Sequence, residues 1–313
     1  MATSDDGVAI GVTRGTAGAM YNAIVSLLNV VILAIVQGFA ELLPVSSSAH
    51  VVVAEKLLGL DPSAAPMTLL LVMLHTGTMF AVIVYFWKQW RRTYFRSMAA
   101  FKSVAVLIVI ATVCTAVIGE GIIKVLERTV LAGLPHAEIE DMFSHLEFIA
   151  PALVAAGLLI LAAGVLEKRY QPRVSTDIAN PTALQAALIG AVQGLCLPFR
   201  GFSRSGATIS AGMLAGVAKG RAEAFSFALA VVLTPPVVVR EVLRLMRMTH
   251  EAGSASLSSV MLMSVVGAVV AFVAGLLALA WLSRWLKAGR WYLFGIYCLV
   301  AGAVVGFLHI IGF

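Results

Sequence analysis

Long apolar stretches separated by short basic connections constrain this chain more than any other feature. Residues 67–87, 104–118, 149–166, 260–282 and 291–313 are apolar runs that approach or exceed the ~20 residues a helix needs to cross the hydrocarbon core of a bilayer. A buried soluble core explains one such run, not five punctuated by Lys and Arg. The composition agrees: 60% of the residues are apolar and 12% charged, against about a quarter charged in an ordinary soluble domain. The expected class is an all-α polytopic membrane protein, with 1–313 forming one integral membrane domain.

The remaining composition narrows the partners. The first twenty residues carry Asp5 and Asp6 and no continuous apolar stretch, unlike the basic start and apolar middle of a signal peptide, so a short polar tail is expected. Cys114, Cys196 and Cys298 lie isolated in apolar segments, which suits packing rather than a disulfide frame or a metal site. The net charge of +6 comes from basic residues mostly between the apolar runs, where it sets orientation rather than recruiting acidic partners. No nucleotide fingerprint, zinc spacing or nucleic-acid motif is present, so membrane lipids are the expected partners and a homodimer is left open. Trp87, Trp90, Trp281, Trp285 and Trp291 stand beside run ends and basic clusters, the place for an aromatic belt.

A short pattern occurs twice. Val36-Gln37-Gly38 is followed by Pro44-Val45-Ser46-Ser47-Ser48, and Val192-Gln193-Gly194 by Pro198 and then Gly201-Phe202-Ser203-Arg204-Ser205-Gly206. The shared order predicts two related halves, 21–120 and 183–313, joined by a connecting segment 121–182 with one transmembrane helix. After each Ser cluster the apolar stretch is short: 51–60 is ten residues, which as a helix covers ~15 Å, about half the hydrocarbon core. The stretch 207–217, ahead of Lys219 and Arg221, is similar. Both motifs therefore read as tips of re-entrant helix-loop-helix hairpins, tolerated where broken backbone is buried in protein or lines a polar cavity.

Charge bias supplies the topology. The connection 88–102 carries Lys88, Arg91, Arg92, Arg96 and Lys102 and no acid, so it is expected in the cytoplasm. The connection 120–147 holds Glu120, Glu127, Glu138, Glu140, Asp141 and Glu147 against Lys124 and Arg128, which suits the outer face. Lys168, Arg169 and Arg173 fall inside again, as do Arg284, Lys287 and Arg290 if 225–239 and 260–282 each cross once. The alternation predicts about six full transmembrane helices, both termini outside, and hairpins entering from opposite faces, an inverted-topology repeat with a shared midplane site. Arg240, Arg244 and Arg247 would then lie outside, against the bias.

The intramembrane polar residues gather in the two motifs. Gln37 and Glu41 are four apart and share a helix face, and Gly38 between them admits a close helix neighbour. A carboxylate at that depth must be paired, protonated or bound to a cation; it is a functional group or one half of a helix-locking ion pair. Ser46, Ser47 and Ser48 start the next helix, with His50 one turn beyond Ser47. Ser caps helices, and a helix start is an anion site. Arg204 adds a forked, permanent positive charge suited to phosphate oxygens. Glu41 is the expected anion in the resting protein, with a phosphate expected to replace or share it when substrate arrives, while Ser203, Ser205 and Thr208 supply hydroxyls and Gly201 and Gly206 let backbone come close. His75 either braces the site or packs; His136, His145, His250 and His309 are expected bystanders.

The runs Gln37-Gly38-Phe39-Ala40-Glu41-Leu42-Leu43-Pro44-Val45-Ser46-Ser47-Ser48-Ala49-His50 and Gly201-Phe202-Ser203-Arg204-Ser205-Gly206-Ala207-Thr208-Ile209 resemble the two signature motifs of the undecaprenyl-diphosphate phosphatases, the bacitracin-resistance family. His75-Thr76-Gly77-Thr78, Tyr85-Phe86-Trp87-Lys88 and the stretch 221–229 ending near Pro235 extend the resemblance over nearly the whole chain. It implies hydrolysis of undecaprenyl diphosphate to undecaprenyl phosphate and inorganic phosphate. That reaction recycles the lipid carrier of bacterial cell-wall synthesis, in the cytoplasmic (inner) membrane, with a site opening to the periplasm.

Carried over by position, Gln37 and Glu41 match the pair that would hold a divalent cation, Mg²⁺ or Ca²⁺. Ser47 and His50 match the nucleophile and base region, and Arg204 the phosphate-binding Arg. Ser46, Ser48, Ser203, Ser205, Gly206 and Thr208 are then substrate-binding. Two departures stand out: Gln37 replaces a common Glu, and Pro198-Phe199-Arg200-Gly201 replaces a tighter Pro-Gly, so that Arg200 either adds a second positive charge or faces the lipid interface. Three nucleophiles are open: Ser47 with His50 as base, His50 itself, or metal-activated water, with Ser47 the expected one. The rival class is a transporter or flippase of a polyprenyl phosphate lipid, because fold alone does not separate the two; release of inorganic phosphate does. A channel would leave the motifs without a task.

Overall fold

Without water as a partner, a spanning segment satisfies its own backbone N–H and C=O groups only as a helix or in a closed barrel. The computed structural model, which describes residues 27–60, 65–129, 146–169, 180–249 and 257–311, resolves this choice in favour of helices. The described residues form ten: α1 Leu27–Leu42, α2 Ser47–Leu57, α3 Ala65–Thr93, α4 Met98–Thr129, α5 Leu146–Arg169, α6 Ala183–Cys196, α7 Arg204–Leu214, α8 Lys219–Thr249, α9 Leu257–Lys287 and α10 Tyr292–Ile310. The N-terminal tail, Glu138, Glu140, Asp141, His136, His145, Arg173 and His250 lie outside the described residues, as do the side chains of Lys168, Arg169, Arg240, Arg244 and Arg247.

Five helices, α3, α4, α5, α9 and α10, are long and apolar enough to cross a bilayer, with mean hydropathy of 2.1 to 2.6 over their best windows. Their outer faces fit that reading. Val106, Val109, Val113 and Val117 on α4, and Val265, Val269, Val273 and Leu277 on α9, are exposed at helical spacing. Continuous apolar stripes turned outward suit lipid, not water. The molecule is a multi-pass membrane protein.

Around the two motifs the helices are short, as the sequence predicts: 16 and 11 residues flank the first tip, 14 and 11 the second. Eleven residues rise ~16 Å, about half the hydrocarbon core. Pro44 and Pro198 stand in the turns between them, where a missing N–H and a fixed φ end the preceding helix. Each short pair packs on itself, α1 on α2 and α6 on α7, and on a distant helix, α1 on α9 and α6 on α4. α3 lies against α8 and α9, α5 against α10, and α7 between α5 and α8.

The close approaches depend on missing side chains. A Cβ on Gly38 would sit 2.5 Å from the Ala274 Cβ and 2.9 Å from the Ala271 carbonyl oxygen of α9, and one on Gly190 would collide with the Ala111 carbonyl of α4. Gly38→Val is therefore expected to prise α1 from α9 at a cost of about 1–3 kcal/mol, read as a lowered thermal midpoint in detergent. An unchanged midpoint would mean that the two helices do not touch there.

Two tryptophans correct the aromatic-belt expectation. Trp90 and Trp291 are buried, Trp90 donating to the Ala224 carbonyl at 3.2 Å and Trp291 to Ser210 Oγ at 3.0 Å. A buried indole N–H needs such a partner, and helical spacing alone does not reveal that α8 and α7 provide it. Trp87 and Trp281 are exposed.

Candidate functional site

The two tips meet. Glu41, in the last turn of α1, receives Arg204 Nη2 from the first turn of α7 at 2.5 Å on Oε1. Its Oε2 accepts the Ser47 hydroxyl at 2.6 Å and Gln37 Nε2 at 3.1 Å, and His75 Nε2 of α3 stands 3.5 Å from the same oxygen. The Glu41 and Arg204 side chains are 13% and 29% exposed. At that burial an isolated charge is costly, so each supplies the compensation the other requires.

Further contacts lock the tips in register. Ser205 Oγ donates to the Leu43 carbonyl at 3.4 Å, and the Gly201 amide donates to Ser48 Oγ at 3.4 Å. Gly201 has φ +103° and its α-carbon backs onto the Ile149 carbonyl, where a Cβ would come to 2.5 Å. Only glycine allows both.

The helix starts differ. Ser203 caps α7, its Oγ accepting from the Gly206 amide at 3.3 Å. Ser46 precedes α2 with φ +71° and makes no side-chain cap; its hydroxyl lies 3.2 Å from Ser48 Oγ instead. A positive φ at a non-glycine residue is strained, and such strain clusters at functional sites. The first amides of α2 are thus left without a side-chain acceptor, beside the Arg204 guanidinium, which is the arrangement that binds an anion.

A polar cavity of about 120 Å³ opens here, lined by Glu41, Ser46, Ser47, Ser48, Arg200, Ser203, Arg204 and Ser205 together with Ala40, Cys196, Phe199 and Phe202. Beside it, sharing Ala40, lies an apolar groove of about 640 Å³ walled by α1, α9 and α10, including Phe39, Leu43, Trp281, Trp285 and Phe294. A polar pocket beside an apolar groove suits an anionic head on an apolar tail.

Most of the expected residues converge; three do not. His50 shares the helix with Ser47 but faces away. Its Nδ1 lies 2.7 Å from the Ser46 carbonyl and its Nε2 2.6 Å from the Tyr297 hydroxyl, with the two rings stacked. Both ring nitrogens are engaged and neither meets Ser47. Gly206 and Thr208 sit behind the cavity wall: a Cβ on Gly206 would strike Ile160, and the Thr208 hydroxyl bonds to the Arg204 carbonyl at 2.8 Å and to Ser226. His75 braces Glu41, with Nδ1 on the Leu71 carbonyl at 2.8 Å. Sequence reasoning passed over Tyr297 and Glu55. Tyr297 gives no signal in an apolar run, whereas Glu55, a carboxylate in a short and largely apolar stretch, does.

The chain is similar to known proteins over most of its length. The family model described as bacitracin resistance protein BacA matches residues 30–304. Undecaprenyl-diphosphatase 2 of Acinetobacter baylyi is 55% identical over 89% of this chain and 96% of its own. The undecaprenyl-diphosphatases of Gluconacetobacter diazotrophicus (33% identical, 90% of this chain, 97% of its own) and Desulfosudis oleivorans (34%, 88% and 95%) are similar along the same length.

Proposed function

The chain belongs to the bacitracin resistance protein BacA family and hydrolyses undecaprenyl diphosphate, and from that premise we propose that the cavity around Glu41, Ser47 and Arg204 is where the terminal phosphate is removed. The observation that carries this is the Arg204–Glu41 contact at 2.5 Å, which joins residues 163 apart in sequence with the Ser47 hydroxyl on the same carboxylate.

Phosphoryl transfer asks mainly for positioning and charge neutralisation. The diphosphate enters the polar cavity while its isoprenoid tail lies along the apolar groove and continues into lipid. Arg204 and the first amides of α2 hold the terminal phosphate. Ser47 Oγ attacks its phosphorus, and the bond to the bridging oxygen breaks to release undecaprenyl phosphate. Glu41 takes the Ser47 proton, because it already accepts that hydrogen bond, and passes it to the departing oxygen of undecaprenyl phosphate; water then attacks the phosphoserine, giving a proton to Glu41, the Oγ–P bond breaks, Glu41 returns that proton to Ser47 Oγ, and inorganic phosphate leaves. Substrate binding draws Arg204 partly from Glu41 to phosphate.

A divalent cation fits this donor set in part. Mg²⁺ and Ca²⁺ take oxygen ligands, and Mg²⁺ in phosphate chemistry uses one or two carboxylates plus substrate oxygens and water. Glu41 and Gln37 would hold it, since the described residues contain no group of three His, Cys, Asp or Glu, and the diphosphate would complete the shell. When bound, the cation neutralises charge developing on the phosphate oxygens.

The same reading makes α1–α2 and α6–α7 the two re-entrant hairpins of an inverted repeat, with α3, α4, α5, α8, α9 and α10 as its six spans. Lys88, Arg91, Arg92, Arg284, Lys287 and Arg290 mark the cytoplasmic face, and the site opens to the periplasm of the inner membrane. Incubating purified protein with undecaprenyl diphosphate tests the reaction and the cation together. Inorganic phosphate is expected to accumulate, to stop with a chelator and to resume with added Mg²⁺ or Ca²⁺. Lipid translocation in vesicles without phosphate release would favour the transporter reading instead.

A further inference from the structure

A second arginine, Arg200, reaches the same polar cavity from the turn between α6 and α7. It is exposed, unlike the half-buried Arg204, so it stands at the mouth rather than the floor. Outside the cavity lining, α2 carries a second carboxylate. Glu55 is 2% exposed, and its Oε1 has no hydrogen-bond partner.

Helix geometry explains how the two come together. Ser48, Val52 and Glu55 follow one another at spacings of four and three on one face of α2. Ser48 accepts the Gly201 amide, so this face runs along the turn carrying Arg200, and Arg200 is the opposing charge that acts on Glu55. A carboxylate so buried is costly to keep without a cation beside it. Arg200, whose positive charge reaches Glu55, is also one of the cavity's walls.

Charge bookkeeping gives the pair a role. Arg204 is matched by Glu41 at rest, and a diphosphate head brings more than one negative charge into the cavity. A guanidinium has five N–H donors in a planar fork, enough to face a carboxylate on one edge and phosphate oxygens on another. We propose that Arg200, aimed by Glu55, is a second headgroup-binding arginine that grips the diphosphate at the cavity mouth, on the phosphate next to the lipid tail. The inference rests on the site assigned under the proposed function and adds to it a specificity for diphosphate over monophosphate heads. Arg204 holds the phosphate that is transferred; Arg200 holds the one that leaves with the lipid. Release then follows naturally, because the product head keeps only the outer arginine.

Steady-state phosphate release by the full-length protein in detergent tests this, with inorganic pyrophosphate as a competing anion. Arg200→Gln is expected to raise KM for undecaprenyl diphosphate about tenfold or more and to weaken pyrophosphate inhibition in parallel, while kcat falls much less. Arg200→Lys keeps the charge without the fork and is expected to fall between. Glu55→Gln is expected to raise KM in the same direction, because the guanidinium loses the group that aims it. A KM within about twofold of wild type for Arg200→Gln overturns the proposal, whatever happens to the thermal midpoint, since that pattern belongs to a brace between α2 and the turn. Should Arg200→Gln fail to fold, unchanged KM and pyrophosphate inhibition in Arg200→Lys and Glu55→Gln overturn it equally. Arg204→Ala separates the two readings: if it retains turnover the site itself is misplaced, and if it is inactive while Arg200→Gln binds normally, only the second arginine is lost.

Discussion

Glu41→Gln and Arg204→Gln are each expected to reduce phosphate release by about a thousandfold or more, and each is expected to destabilise the protein more than the double variant does. With Glu41 neutralised, the half-buried guanidinium 2.5 Å away is left among hydroxyls without its anion, and breaking a buried pair from one side costs about 3–5 kcal/mol. Removing both charges leaves two amides able to hydrogen-bond to each other, so much of that cost disappears. Activity behaves oppositely. The carboxylate holds Ser47 and the guanidinium holds the phosphate, and one without the other leaves little transition-state stabilisation, so the double variant is expected to be no more active than either single one. Thermal unfolding in detergent beside phosphate release measures both. Additive stability losses would show that the two tips do not share one charge pair.

How much of this was legible in the chain varies by element. The apolar runs give the five long helices almost directly, because bilayer thickness sets a length that composition can meet or miss. The short helices beside the two motifs were legible too, because Pro44 and Pro198 stand where helices end. Less visible was which residue faces which. Gln37 and Gln193 occupy matching places in the repeated pattern, yet Gln37 bonds to Glu41, while Gln193 Nε2 turns to Thr115 Oγ1 at 3.3 Å. The difference lies four residues on, where Glu41 has Leu197 as its counterpart. Of the two short helix pairs, one supplies the carboxylate and the other the guanidinium. His50 shows the limit of spacing arguments. One helical turn places it near Ser47, but whether the ring turns toward the cavity or toward α10 depends on Tyr297, 247 residues away, and no local pattern encodes that choice.

Ser47→Ala is expected to abolish a phosphoserine that rapid acid quenching traps in the wild type, and to lower turnover by about a thousandfold or more, because the nucleophile is gone and only direct attack by water remains. His50→Ala is expected to lower turnover while leaving a trapped phosphoserine at Ser47. The distinction follows from the proton inventory of the imidazole. The Ser46 carbonyl can only accept, so His50 Nδ1 carries a proton, and in the neutral ring Nε2 is then the lone pair that accepts from the Tyr297 hydroxyl. A base for Ser47 needs a free lone pair within reach of Oγ, and Glu41 Oε2 at 2.6 Å meets that condition. What His50 contributes is posture: it ties the strained Ser46 carbonyl to α10 and keeps the first turn of α2 aimed at the phosphate. Tyr297→Phe removes one hydrogen bond from that tie and is expected to cost at most about tenfold in turnover. Mass spectrometry of quenched protein reads the result, and a phosphohistidine at His50 in place of phosphoserine would transfer the nucleophile's role to the imidazole.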